Sequence, residues 1–175
     1  MGYNLAHLEA IVRAAGVTKV ALYHHFPGGK PDLFRAVLRQ VHEEVASEIA
    51  SAASDADPWT QLVEGCRAFL SASTSPSVRQ IMLLDALAVL RWDVWREFDA
   101  AASMPHLAKI LDELMQKGII ADQPVGPVNH LLSGAMNEAA MWLAHSKTSQ
   151  DALDDVIAVL ARMLEISQTA PGSGD

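Results

Sequence analysis

Apolar residues recur every three or four positions along almost the whole chain. After Gly29 this spacing continues through every apolar segment, and no sustained alternation of apolar and polar residues interrupts it. The pattern predicts an all-α chain, because strands need a period of two. Half of the 175 residues are apolar, which is enough for a substantial core in one domain or in a small domain fused to a larger one.

The longest predicted helix runs from Pro31 to about Ala53, with proline in its first turn. A stiff helix of this length would join the N-terminal part of the chain to the C-terminal part and would pass on movement as a rigid-body shift. We therefore predict a head (residues 1–45), a body (residues 46–168) and a disordered, polar tail (residues 169–175). The expected buried stripe of the helix contains seven apolar residues: Leu33, Phe34, Val37, Leu38, Val41, Val45 and Ile49.

The rest of the body is predicted to be a series of helices separated by turn residues. Asp57-Pro58 opens a helix that ends in a polar break at residues 71–77, and Gly118 closes a later helix at a left-handed position. The remaining predicted regions are a short and a longer helix over 78–98, a helix over 104–117, and two long amphipathic helices within 125–166.

The head carries the pattern of two short helices joined by a glycine turn. Residues 4–15 have helical spacing, Gly16 suits the left-handed residue of the turn, and Thr18 can cap the next helix. That helix, ended by Pro27, is expected to bury Val17, Ala21 and Leu22 and to expose Lys19, Tyr23 and His24. The arrangement is typical of a helix-turn-helix with its recognition helix in a major groove, although an ordinary helical hairpin would share it.

The residues of this stretch strongly resemble the TetR family of transcriptional regulators. The likeness runs through Gly2-Tyr3, Ile11, residues 14–19, residues 21–26, Lys30 and residues 32–34, and covers about forty residues closely. It implies a DNA-binding head and a ligand-binding, dimerising body. It also implies phosphate contacts for Tyr23, His24 and Lys30.

Base reading is expected from Thr18 and Lys19, because they begin the recognition helix and that end enters the groove most deeply. Tyr23 could instead be a half-buried surface aromatic. For His25 we expect a structural role, orienting or capping the helix beside Phe26.

This sequence departs from the family pattern in two places. Family members carry a further helix before the Gly-Tyr pair, where this sequence has Met1, so Leu8, Ile11, Leu22 and Phe26 are expected to lose a partner. Exposing two or three of them would cost roughly 3–9 kcal/mol. We therefore expect a poorly ordered or rearranged head and weak DNA binding, unless the true start lies upstream. Ala6-His7 also replaces a common Thr/Ser cap, which leaves Asn4 as the expected cap.

Charge is divided unevenly between the two parts of the chain. Residues 1–42 hold five basic and two acidic residues, a net charge of +3, whereas the remainder holds eight basic and nineteen acidic residues, a net charge of −11. The overall charge of −8 therefore does not exclude nucleic acid, because a basic head on an acidic body presents one surface to phosphates.

The body is rich in aromatic residues and methionine, which in a chain of this resemblance suggests an apolar effector pocket with a few polar groups. Ordinary core packing is the alternative for each of them. Asp85, Trp92 and Arg96 share a face opposite the leucine stripe, which could line a pocket or face solvent, and Asp85 would suit a cationic or hydrogen-bonding ligand. The predicted ligand-binding residues are Phe69, Met82, Asp85, Trp92, Trp95, His106, Met136 and Asn137.

The two helices within residues 125–166 have apolar stripes that are wide for a solvent-facing pair. We predict that they form a four-helix homodimer interface with a second copy, helped by the small residues Gly134 and Ala135. Burial inside a single bundle is the alternative. A helix-turn-helix protein needs two copies to read a palindromic operator, which favours the dimer.

Several classes of function and location lack their usual sequence signals. Cys66 is the only cysteine, which excludes an intrachain disulfide. The sequence shows no signal peptide, no membrane-spanning apolar run, and no metal, phosphate-loop or nucleophile motif. We therefore expect a cytoplasmic protein that does not act at a membrane, needs no cofactor and is not an enzyme.

These features predict a DNA-binding repressor, a homodimer that a small apolar or amphipathic effector releases from a palindromic operator. Two alternatives remain. One is a degenerate relative that dimerises and binds a ligand but no longer binds DNA, and the other is a helical enzyme acting on a small molecule.

Overall fold

A computed structural model describes the chain at residues 2–52, 57–102, 104–145 and 150–165, with the side chains of Trp92, Asp99, Ala102, His145, Gln150 and Glu165 excepted. These ranges are helical apart from short connections, as the sequence predicts. The helices are α1 (Leu8–Ala14), α2 (Lys19–His25), α3 (Lys30–Ala52), α4 (Pro58–Thr74), α5 (residues 76–89), α6 (Trp92–Ala102), α7 (Met104–Gln116), α8 (Val125–His145) and α9 (Gln150–Glu165).

The turn of the head forms as predicted. Gly16 has a φ of 66°, in the left-handed region, and the Thr18 hydroxyl accepts a hydrogen bond of 3.1 Å from the Ala21 amide. Leu22 is buried, whereas Val17 is 46% exposed, so the prediction that Val17 points inward is wrong. Its position just before the cap residue leaves it outside the contact between α1 and α2.

The start of the first helix also differs from the prediction. A 3-10 turn occupies Tyr3–Leu5, the chain is extended at Ala6 and His7, and α1 begins only at Leu8. The N-cap is His7, without a side-chain hydrogen bond, so Asn4 is not the cap. Both α1 and α2 are formed. Of the side chains expected to lose a partner, Leu22 is buried and the other three, Leu8, Ile11 and Phe26, are half-buried.

Helix α3 is the continuous rod that the sequence predicts. Its 23 residues give a length of about 34 Å, and the predicted boundary near residue 45 falls within it. Val37 is 36% exposed, at the edge of the predicted stripe, while His42 is buried. Sequence periodicity did not identify His42, which stacks on the Phe98 ring of α6 with centroids 6.4 Å apart.

Helix α4 begins as predicted, with Asp57 capping the Trp59 and Thr60 amides and Pro58 in the first turn. It continues to Thr74, so the predicted polar break is shorter than expected. Helix α5 comes next, and its central segment, Arg79–Asp85, is π-helical. The wider π turn is rare and often lies at functional sites, and no residue in this segment indicates it from sequence.

The main core lies in the body, where α4 packs against α3, α7, α8 and α9. The turn after α7 closes as predicted, because Gly118 has a φ of 66° and the Ile119 amide donates to the Leu114 carbonyl. Within the described ranges, no helix combines the length and apolarity that a bilayer crossing requires. The predicted disordered tail, residues 169–175, lies outside the described residues.

Candidate DNA-binding surface and effector cavity

Thr18 and Lys19 lie together on the exposed start of α2. The Thr18 side chain caps α2, because its oxygen accepts a hydrogen bond from the Ala21 amide. The Thr18 methyl group and the Lys19 side chain are the parts of this helix start that could contact another molecule. Both residues are exposed. A helix N-terminus carrying a lysine attracts anionic groups and can reach base edges.

In the structure the Lys19 ammonium is engaged by an acidic residue of the preceding helix. Lys19 Nζ donates to Glu9 Oε1 at 2.6 Å, and both side chains are more than half exposed. The hydrogen bond and the opposite charge lower the pKa of Glu9 and raise the pKa of Lys19. Both groups are therefore charged at neutral pH, and the Lys19 ammonium is paired with a carboxylate within the head. The sequence alone did not reveal this pair.

Tyr23 and His24 are exposed in the last turn of α2, as predicted. The Tyr23 ring lies close to the turn before α3, where a Cβ on Gly29 would sit 3.2 Å from Tyr23 Cε1, and Gly29 itself has a φ of 69°. Tyr23 is 49% exposed. His25 is exposed and its ring makes an edge contact with His24 at 5.4 Å between centroids.

Lys30 is the first residue of α3 and lies over an aromatic ring. Its Nζ is 4.0 Å from the Tyr3 ring centroid, a cation–π contact, and the Tyr3 ring packs edge-on against Phe34 at 5.0 Å. Tyr3 therefore orients the Lys30 side chain at the N-terminus of α3, where backbone amides also favour an anion.

The same tyrosine ties the head to the body. The Tyr3 amide donates to Asp85 Oδ2 at 2.8 Å, and Gln80 Nε2 donates to Asp85 Oδ1 at 2.9 Å. Both body residues belong to the π-helical segment of α5. A carboxylate bound by two donors is a stronger anchor than a neutral acceptor, so the start of the head is held to α5 through one side chain, 82 residues away in sequence.

A cavity of about 190 Å³ lies in the body between α3, α4, α7 and α8. Its walls are mostly apolar. Four of the residues predicted to bind a ligand line it: Phe69 on α4, His106 on α7, and Met136 and Asn137 on α8. The sequence did not predict that α3 forms one wall of the cavity, because small residues such as Ala46 and Ala50 do not by themselves indicate a ligand site.

Cys66 also lines the cavity. Burial of its thiol raises the pKa of Cys66 to about 12, because an apolar environment disfavours the thiolate. The side chain is therefore a neutral thiol at physiological pH, which gives it little nucleophilic character.

Met82, Asp85 and Trp95 are not among the described residues that line this cavity. Met82 and Trp95 are buried in the core, where Trp95 Nε1 donates to the Met82 carbonyl at 3.3 Å. Asp85 binds the Tyr3 amide instead, because α5 turns that carboxylate toward the head. The Trp92 side chain lies outside the described part of the chain. A ligand role for these four residues stays a prediction.

An apolar face of α8 and α9 is exposed. It includes Leu131, which is 75% exposed, and Trp142, which is 54% exposed, on α8, together with Val159 and Met163 on α9. A Cβ on Gly134, in the same stretch of α8, would meet open space. Exposed apolar patches often mark interaction sites, and these two helices each contribute large exposed apolar side chains. Residues 146–149 and 166 of the predicted interface lie outside the described residues.

Two family models match the chain. The model described as "Bacterial regulatory proteins, tetR family" matches residues 1–37, and the model described as "Tetracyclin repressor-like, C-terminal domain" matches residues 59–166. The HTH-type transcriptional regulator LmrA of Bacillus subtilis is 35% identical over 69 residues, which are 39% of this chain and 35% of LmrA. The chain thus spans about a third of the length of this curated relative.

Solved structures share the fold over nearly the full chain. A TetR-family transcriptional regulator from Pectobacterium atrosepticum superposes with a TM-score of 0.81 at 27% identity, covering 97% of this chain and 87% of that one. The fatty acid degradation regulator FadR from Bacillus halodurans superposes with a TM-score of 0.74 at 17% identity, covering 91% and 89%. The second likeness concerns the fold alone.

Proposed function

The chain belongs to the TetR family of DNA-binding transcriptional regulators, and from that premise we propose that it is a repressor, released from a palindromic operator by a small apolar or amphipathic effector. Thr18 and Lys19 read base edges, and Tyr23, His24 and Lys30 bind phosphates. The observation that carries the proposal is a basic surface on α2 and the start of α3, joined by one rigid helix to a cavity in the body.

The cationic groups of this surface have different surroundings, which suit different tasks. Lys19 stands at the exposed start of α2 and can exchange Glu9 for a base edge. Lys30 is half-buried and its side chain is oriented by the Tyr3 ring, so it suits contact with a phosphate at one fixed position. Phosphate contacts set register and orientation, whereas base contacts set sequence preference.

A homodimer through the α8 and α9 face completes the proposed DNA-binding unit. The exposed side chains of Leu131, Trp142 and Met163 give this face the aromatic and methionine character that interface cores favour. The open space beside Gly134 allows a facing helix to approach closely. Two heads held by one such interface can bind two half-sites of a palindrome.

The effector acts through α3. Ala46, Ile49 and Ala50 of this helix line the cavity, while its first residue is Lys30. A molecule that fills the cavity contacts the end of a rod about 34 Å long and shifts the other end, where DNA is bound. Couplings between two such sites are typically about 1–3 kcal/mol.

Lys19→Ala and Lys30→Ala test the division of tasks at the DNA surface. DNA flanking the gene itself is titrated with each full-length variant by fluorescence anisotropy, at several salt concentrations and with base-substituted duplexes. Lys19→Ala should lose discrimination at one base pair by about tenfold or more. Lys30→Ala should weaken binding to all duplexes equally and reduce the salt slope by about one.

Lys117→Ala is the matched control, because Lys117 directly follows α7 in the body and pairs with Glu113. It should leave the binding curve unchanged. The assignment of Lys19 is wrong if Lys19→Ala keeps the base preference of the wild type.

A degenerate regulator that dimerises and binds a ligand without DNA is the second candidate. The Lys19–Glu9 pair favours it, because the best base-reading cation is neutralised within the head. In that case no duplex from the gene's surroundings binds at low salt, while the dimer and the ligand cavity remain measurable.

A further inference from the structure

The cavity between α3, α4, α7 and α8 is small for a ligand site. Its volume of about 190 Å³ exceeds the ~150 Å³ of an engineered apolar cavity that binds benzene. It falls below the roughly 300–1,000 Å³ of pockets for drug-sized molecules. One six-membered ring with a short substituent fits this space.

The described residues that line the cavity include no aspartate, glutamate, lysine or arginine. Its polar groups are a hydroxyl, amides and an imidazole, and the Cys66 thiol is neutral because burial raises its pKa. An ion entering such a cavity gives up part of its water and finds no carboxylate, ammonium or guanidinium among these residues, so an ionic ligand is disfavoured.

The polar side chains that line the cavity lie on three helices: Gln61 on α4, His106 on α7, and Ser133 and Asn137 on α8. Ser133 and Asn137 lie one turn apart on α8, and Ser133 is buried. Most of the remaining lining side chains are apolar, among them Ile49 of α3 and Phe69 of α4. His106 is exposed, so the cavity opens beside it. A ligand that fits both parts has an apolar ring and one hydrogen-bonding group directed at α8.

We propose that this cavity takes an uncharged molecule of about nine to twelve heavy atoms, made of one ring and one hydrogen-bonding group, and rejects its charged isosteres. The proposal deepens the effector role proposed above and rests on it only in calling the ligand an effector. Binding itself does not depend on DNA.

Three isosteric probes test the charge preference: benzamide, which is neutral, benzoate, which is an anion, and benzamidine, which is a cation at pH 7.5. Each is titrated into the full-length protein without DNA and followed by ligand-observed NMR. Benzamide should bind at least tenfold more tightly than either ion, a difference of 1.4 kcal/mol. The proposal is overturned if benzamide does not bind saturably, or if an ion binds equally well.

Gly65→Ala tests whether the binding site is this cavity. A Cβ on Gly65 would meet Ile49 Cγ2 at 3.4 Å, an ordinary contact, so the methyl group occupies cavity space without a clash. Because glycine is unfavourable inside a helix, the variant should melt about 2 °C higher than the wild type. Its benzamide affinity should nevertheless fall about threefold or more.

Ser71→Ala is the control on the same helix, since Ser71 is exposed and its backbone carbonyl, not its side chain, accepts from Thr74. It should also melt slightly higher and bind benzamide like the wild type. Equal benzamide affinity in Gly65→Ala and the wild type would place the binding elsewhere and refute the proposal. Because no DNA is present, failure of operator binding would leave these results unchanged, and the two proposals fail independently.

Discussion

The head and the body of this protein are held together in different ways. One continuous core joins the body to α3, and Leu38 of α3 is fully buried in it together with Leu70, Leu111, Leu114 and Leu143 of the body. In the head, Val12 of α1 and Leu22 of α2 are buried but lie outside that core. The body is therefore stabilised by packing that it shares with α3, whereas α1 and α2 depend on each other and on their attachment to α3 and α5.

This difference suits a regulator whose two parts perform different tasks. A large core resists local opening, while an element with few buried contacts opens at a lower free energy and can adapt to a partner. The body can keep the shape of its cavity and of the proposed dimer interface, while the head can adjust its conformation when it binds a DNA duplex. Substitutions in the body, in the head and at their junction can test this difference.

The largest effect is expected from Leu70→Ala, in the core of the body. Leu70 is 0% exposed, so the substitution should lower the free energy of unfolding by about 3–5 kcal/mol. Leu22→Ala, in the head, should change the urea midpoint followed by circular dichroism only slightly and instead accelerate hydrogen exchange in α2. If both variants lower the midpoint equally, the head and the body unfold as one unit and the comparison is wrong.

The next effect concerns the dimer face of the body. Leu131→Asp places a charge where we propose a second copy, and the dimer dissociation constant should rise at least 30-fold, about 2 kcal/mol. Sedimentation equilibrium measures this constant. Gln116→Asp, on the exposed end of α7, is the control and should sediment as the wild type does. An unchanged association in Leu131→Asp would exclude this face.

A smaller effect is expected where the two parts meet. Asp85→Ala removes the acceptor of the Tyr3 amide and of Gln80, which should cost about 1–2 kcal/mol. Hydrogen exchange at residues 3–5 should become faster, and DNA binding should weaken because Lys30 is no longer oriented by Tyr3. Asp93→Ala breaks an exposed ion pair with Arg91 and should do neither. Slow exchange at residues 3–5 in Asp85→Ala would show that another contact holds the head.

The smallest effect is expected from Glu9→Gln, within the head. Both partners of the Lys19–Glu9 pair are exposed, so folding stability should hardly change. DNA binding should tighten, because Lys19 no longer leaves a charged partner and one repulsive charge is removed from the DNA surface. Fluorescence anisotropy at low and moderate salt measures the change. Weaker binding would mean that Glu9 instead holds Lys19 in its productive position.

Local signals made much of this fold predictable. The Thr18 cap, the Gly16 and Gly118 turns and the Asp57-Pro58 helix start each depend on residues within a few positions of one another. Helical spacing likewise predicted the all-α class. Such features need no knowledge of the rest of the molecule.

Long-range contacts explain the features that the sequence did not predict. The helix expected from residue 4 is replaced by a 3-10 turn at Tyr3–Leu5, whose Tyr3 amide is bound by Asp85 of α5. The same contact gives Asp85 a partner in the head, which the sequence could not show because helical spacing indicates a polar face but not its partner. Helical spacing also cannot show that Ala46 and Asn137 line one cavity, because that depends on how α3 and α8 pack.

The most direct test of the proposed function is the sedimentation of a labelled duplex, taken from the DNA flanking the gene, with the full-length protein at low ionic strength. We predict a saturable complex of two chains per site, and its loss when Lys19 and Lys30 are both changed to alanine. A protein that stays monomeric and leaves the duplex free, or a double variant that binds as tightly as the wild type, would contradict the proposed function.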